Sequence, residues 1–180
     1  MKLNCPSCSN GILKPTKLEP GLPALSCGKC SGVLISMLSY RAWLEESSYQ
    51  NINPAKTSIE VDDTEHAMAC PKCRNFMTKY RVSDKGINRL DSCGSCGELW
   101  IDSGEWELLA SLNLTKSISS ILSQPWQKQI ALREADKKNE QKVLGVLGEQ
   151  DYLKVKDLKG WLSSHPEKEV IMRYLLRKNH

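Results

Sequence analysis

Short runs of alternating apolar and polar residues mark the first two thirds of the chain, and helical spacing marks the last third. Leu13 to Leu18 leads into Pro20-Gly21, a strong turn signal. Phe76 to Val82 leads into Asp84-Lys85-Gly86, which is also turn-like. Each stretch predicts a β-hairpin. In the second, Lys79 and Arg81 fall on one face of the strand, and Tyr80 and Val82 on the other. Two further apolar runs, Val33-Leu34-Ile35-Ser36 and Leu99-Trp100-Ile101-Asp102, each precede a short helical pattern. In the first, Ser36 is placed to cap a helix that carries Met37, Tyr40, Trp43 and Leu44 on one face. In the second, Asp102 and Glu105 form a capping box ahead of Trp106, Leu109 and Ala110.

From Thr115 onward the pattern is helical. Pro125 suits a first turn, and a charged helix over 126–147 carries Trp126, Ile130, Val143, Leu144 and Leu147. Its middle, Arg133 to Lys142, is polar. A second helix carries Tyr152, Val155, Leu158 and Leu162. Ser164-His165-Pro166-Glu167 starts a third, with Val170, Ile171, Tyr174 and Leu175 as its stripe. The stripes predict a small helical core, or a face docked on the preceding domains. No run approaches the roughly 18 apolar residues of a membrane span.

The eight cysteines change the picture. They stand as Cys5-Pro6-Ser7-Cys8 and Cys27-Gly28-Lys29-Cys30, then as Cys70-Pro71-Lys72-Cys73 and Cys93-Gly94-Ser95-Cys96. The pairs are 18 residues apart in the first array and 19 in the second, and the arrays repeat at a period of 65. A C-x2-C turn aims two sulfurs at one point, and two such knuckles joined by a hairpin make a four-sulfur site. Glycines beside the second pairs (Gly28 and Gly32, Gly94 and Gly97) permit the backbone angles of such turns. The expected ligands are therefore Cys5, Cys8, Cys27 and Cys30 for one ion, and Cys70, Cys73, Cys93 and Cys96 for another. Two zinc ions are expected; iron would accept the same geometry. A dithiol role needs a free reactive thiol, whereas here every pair has a partner pair. Catalytic zinc needs an open position, and these sites are closed. His66, His165 and His180 show no ligand spacing, and no phosphate loop or nucleophile elbow is present. A non-enzymatic protein with no small-molecule substrate is expected.

Charge qualifies this further. The formal net charge is +4 with neutral thiols. Each tetrathiolate zinc centre carries a net −2, which brings the loaded chain to about neutral. Residues 115–180 hold 13 basic and 8 acidic side chains and no cysteine, which marks a composition boundary near Thr115. With no apolar signal region at the N-terminus, a reducing cytoplasm is the expected compartment.

The second array resembles a bacterial zinc-ribbon family named for its likeness to the zinc finger of general transcription factor IIB. The motif runs Cys70-Pro71-Lys72-Cys73, Met77, then Cys93-Gly94-Ser95-Cys96-Gly97-Glu98-Leu99-Trp100-Ile101-Asp102-Ser103-Gly104-Glu105-Trp106. Glu98 replaces the family's second glycine, and Trp106 its leucine. The first array keeps the cysteines and Gly32 but lacks the W-x-D-x-G-E signature. The resemblance covers about residues 5–45 and 70–110, and implies a ribbon fold and zinc.

The expected fold is a small metal-stabilised α+β protein. It has a first zinc ribbon and helix over 1–46, a linker over 47–66, a second ribbon and helix over 67–114, and an α-helical region over 115–180. The linker includes a short extended piece at Ile59-Glu60-Val61. Between Cys70 and Cys96 lie Lys72, Arg74, Lys79, Arg81, Lys85 and Arg89, against only Asp84 and Asp91, with Phe76 and Tyr80 interleaved. Such a pattern can track a phosphate backbone and stack bases; it also suits a solvated sheet face. Two functions are thus expected. One is a transcription- or nucleic-acid-associated binding protein, acting through RNA polymerase or on nucleic acid directly. The other is a protein–protein adaptor or accessory regulator of an enzyme complex.

Overall fold

The computed structural model describes residues 2–8, 10–46, 66–84 and 88–177. Most of the expected linker, the Ile59-Glu60-Val61 piece, Lys85 and His180 lie outside the described residues. The chain forms two compact units, Met1–Ala131 and Leu132–His180.

Unit one is built on the two repeats. The first contributes β1 (Leu13–Glu19), β2 (Leu22–Cys27), β3 (Val33–Ser36) and α1 (Met37–Glu46). The second contributes β4 (Thr78–Arg81), β5 (Arg89–Ser92), β6 (Glu98–Ile101) and α2 (Glu105–Ser111). Each repeat is therefore a three-stranded meander rather than a bare hairpin, because the apolar run after the second cysteine pair folds back as a third strand. All strands join one antiparallel sheet in the order β1-β2-β3-β6-β5-β4.

The central pairing, β3 with β6, joins the repeats. Val33 faces Ile101, Leu34 faces Trp100, Ile35 faces Leu99 and Ser36 faces Glu98. Position 34 in the first repeat corresponds to 100 in the second, so Leu34 and Trp100 are equivalent residues paired with each other. Exchanging the two repeats maps the first three of these pairs onto themselves, and only Ser36–Glu98 has no counterpart in the ladder. The contact is isologous, the geometry of a twofold dimer built within one chain. It also removes one exposed strand edge from each repeat.

Alternation along the strands gives the sheet two apolar faces. One packs Leu22, Ala24, Ile35, Leu90, Leu99 and Ile101 against α1, α2 and the segment that follows. The other packs Leu13, Leu34, Met68, Met77 and Trp100 with the cysteines. A side chain's place in the strand thus decides whether it serves the helical core or the sulfur clusters.

The expected cap residues form local hydrogen bonds, but α2 starts later than the sequence predicts: its N-cap is Gly104, at φ 81°, rather than Asp102, because the glycine takes the left-handed turn that leads into the helix. The Ser36 hydroxyl accepts the Leu38 N–H at 3.2 Å. Glu105 accepts the Asp102 N–H at 2.8 Å, the back-reaching half of the capping box. Asp102 also accepts the Trp100 indole N–H at 2.6 Å. Tyr40, fully buried, donates to the Thr115 carbonyl at 2.9 Å and accepts the Ile118 N–H at 3.1 Å. That pair of bonds fastens α1 to the chain entering α3 (Ile118–Ile121). Thr115 to Ala131 consequently pack with the repeats. In the first turns of α4 (Gln124–Ser164), Gln127 bonds the Arg81 N–H and carbonyl at 3.1 and 2.9 Å, occupying the open edge of β4. Trp126 donates to the Val82 carbonyl, and Ile130 is buried.

In unit two, α4 continues to Ser164 and α5 covers Lys168–Leu175. Gly148 interrupts α4 at φ 74°, so the two expected helices meet there. The sequence pattern anticipates a helical core, and none is found among the described residues of this unit. Val146, Trp161, Val170 and Tyr174 are exposed, and no hydrophobic side chain is buried. The two stripes are short and separated by the break at Gly148, so they do not enclose a shared interior.

Gly32 tests the central pairing. A Cβ there would collide with the Trp100 ring. Gly32→Ala is expected to cost about 1–3 kcal/mol of stability by overpacking. In a Trp100→Leu background, which copies Leu34 of the other repeat, the cost should largely vanish. Thermal melts of the four proteins check the coupling.

Candidate metal centres

Each cluster forms where two knuckles meet. In the first, the Cys5 N–H bonds the Gly11 carbonyl at 2.7 Å, and the Cys27 N–H bonds the Gly32 carbonyl at 2.9 Å. In the second, the Cys70 N–H bonds the Asn75 carbonyl and the Cys93 N–H bonds the Glu98 carbonyl, each at 2.8 Å. Knuckle ends use the left-handed region: Ser31 at φ 58°, Arg74 at 64° and Gly97 at 71°. These turns swing backbone amides toward the sulfurs. The Cys8 N–H lies 3.4 Å from Cys5 Sγ, and the Lys29 N–H lies 3.5 Å from Cys27 Sγ.

The eight cysteines gather into the two expected sets of four, with the sulfurs of each set within 4.8 Å of one another. Close approaches are 3.4 Å for Cys8–Cys27 and 3.6 Å for Cys5–Cys30. In the second set they are 3.4 Å for Cys73–Cys93 and 3.5 Å for Cys70–Cys96. A tetrahedral ion with sulfur at about 2.3 Å needs sulfurs about 3.8 Å apart. The observed separations are close to that edge and far from a bond. Four soft donors, a buried floor and amide N–H groups on the sulfurs fit one divalent ion per cluster. An ion held by all four sulfurs of such a site would cross-link the knuckles.

The thiols are unequal. Burial pushes Cys5, Cys30, Cys70 and Cys96 up. For Cys27 and Cys93 the same burial is outweighed by amide N–H groups and neighbouring thiols, which bring them down to about 6 and about 7. Ionised sulfurs this close repel one another without a cation between them. A metal ion binds thiolates, so its entry must displace thiol protons, and affinity therefore falls as pH falls. Zinc loading in weak buffer should acidify the solution, and competition with a chromogenic chelator should show tighter binding at pH 8 than at pH 6.

Gly11 escapes a motif search. A Cβ there would lie 2.5 Å from Cys27 Sγ and 2.7 Å from Cys8 Sγ. The backbone passes directly over the first cluster. Four residues lie between Cys8 and Leu13, against three between Cys73 and Met77. Leu13 and Met77 are equivalent, since they bond to Leu3 and Met68 in the same way. The first knuckle therefore holds one extra residue, and a glycine accommodates it.

The basic residues of the second hairpin are spread over several environments. Lys79 pairs with buried Asp91 at 2.8 Å. Lys72 pairs with Glu98 at 2.7 Å, and this hydrogen bond and charge push its pKa up. Arg81 stands opposite Arg89 across the ladder, and both have interaction partners. Tyr80 is half-buried opposite Leu90, and Val82 is buried. Arg74 is exposed.

No family model, curated protein or solved structure matches this chain. No helix among the described residues is long and apolar enough to cross a membrane.

Gly11→Ala separates the two centres. Its methyl group displaces the sulfurs of the first cluster only. Native mass spectrometry should show bound metal falling from two ions to one per chain, while Gly94→Ala, which meets open space, leaves both in place.

Proposed function

We propose that this is a non-enzymatic, zinc-loaded tandem ribbon protein whose C-terminal helices dock a protein partner. The observation that carries this reading is the exposure of unit two. Leu153, Val155, Leu158, Trp161, Met172 and Leu175 stand about half exposed, and no hydrophobic side chain is buried among the described residues of unit two. A helical segment of this size gains little stability without a covered apolar face. Zinc supports the other half of the reading: two closed four-cysteine sites stabilise a scaffold and leave no ligand position for substrate. The motif of the second repeat agrees with the ribbon assignment.

Acidic and basic residues alternate along the helices, so the apolar stripe dominates the recognition chemistry. Several basic side chains of the second hairpin already have protein partners, which favours the adaptor function over nucleic-acid contact through that hairpin.

The test is recovery of the tagged, zinc-loaded chain from nuclease-treated lysate, followed by identification of cross-linked partners. A Leu158→Asp, Met172→Asp variant should lose the partner and retain its metal and melting temperature. Equal recovery by the variant, or release of the partner by nuclease, contradicts the docking role.

A further inference from the structure

A second surface lies between the first knuckles of the two repeats. A groove of about 350 Å³ opens there. Asn4 and Pro6 line one side, and their repeat equivalents Ala69 and Pro71 line the other. The groove exists only because the repeats are paired, so neither ribbon alone could form it.

Its charge is one-sided. Lys2, Lys72 and Arg74 line it and no acidic residue does. Lys72 is engaged by Glu98, whereas Lys2 and Arg74 make no ion pair among the described residues. Arg74 holds its place in the left-handed region, where glycine is the easier residue.

Phe76, the only phenylalanine in the chain, is 79% exposed. It pairs with Ala69 across an antiparallel bridge. Bridge partners project to the same face, so the ring stands on the side where Ala69 meets the groove. Ile12, 46% exposed, pairs with Asn4 in the equivalent place. The groove thus combines unpaired cations at its lining with a bare aromatic ring at its margin.

We infer that this groove binds single-stranded nucleic acid, with phosphates on Lys2 and Arg74 and a base stacked on Phe76. An exposed ring gains from the π-face of an unpaired base, which a duplex hides. An acidic peptide would use the cations and leave the ring idle. Cys5 and Cys70 also line the groove, so the thiolate centres oppose an anion and the grip rests on these few side chains.

Fluorescence anisotropy of a labelled oligothymidylate of about 12 nucleotides, titrated with the zinc-loaded full chain at low salt, tests the inference. Saturable binding is expected. Its logarithmic salt slope should be about −1.4 to −2.1, as contact with two to three phosphates requires. Phe76→Ala should weaken binding about tenfold, while Phe76→Trp preserves it. Arg74→Gly should weaken binding yet leave the melting temperature equal or higher, because glycine suits the left-handed turn. Fold damage would move both readouts downward together. The inference fails if no binding occurs at low salt, or if a duplex or a polyglutamate peptide binds as well. It also fails if folded Phe76→Ala, Arg74→Gly protein binds unchanged.

Discussion

Four sulfurs drawn to one point, twice, is the constraint on which the rest of this structure depends. Each repeat is too small to enclose an interior of its own. Its two knuckles are joined by strands a few residues long, and its side chains divide between two faces. Closure of the thiolates around an ion would fix the knuckles, and the knuckles set where the third strand starts and so how β3 and β6 meet edge to edge. Like-charge repulsion sets the same dependence from the other direction: four ionised sulfurs this close need a cation to balance them.

Pairing of β3 with β6 converts two marginal pieces into one sheet. The symmetry of the pairs is that of a dimer interface, yet the two copies have diverged where they meet. Trp100 fills the space that Gly32 leaves, and glycine is required at 32 because a large ring lies above it. The equivalent of Gly32 in the second repeat is Glu98, whose acidic side chain stands opposite Ser36 and is satisfied by Lys72.

Local chemistry was readable from the residues in order. The cysteine pairs, the Ser36 cap, the bond from the Asp102 N–H to Glu105 and the helical start near His165 rest on interactions spanning a few positions. The cross-chain features were not readable in that way. Lys79 and Asp91 pair through a hairpin register that the chain between them must set. Gly11 sits over the sulfurs because of one extra residue in its knuckle, which a C-x2-C pattern does not register. The third strand of each repeat looked like an apolar run before a helix, and nothing local said that the two runs would find each other. In the C-terminal region the periodicity correctly indicated helices and gave no information about what covers their stripes. Amphipathic spacing reports that a face wants to be covered and is silent on the covering partner.

Metal content and folding measured on the same freshly purified, reduced sample test the account most directly. Two zinc ions per chain are predicted, and chelating them should collapse the dispersed amide signals of both repeats, because neither sheet half stands without its cluster. A protein that carries no metal and still shows the dispersed spectrum of the paired sheet would contradict the account.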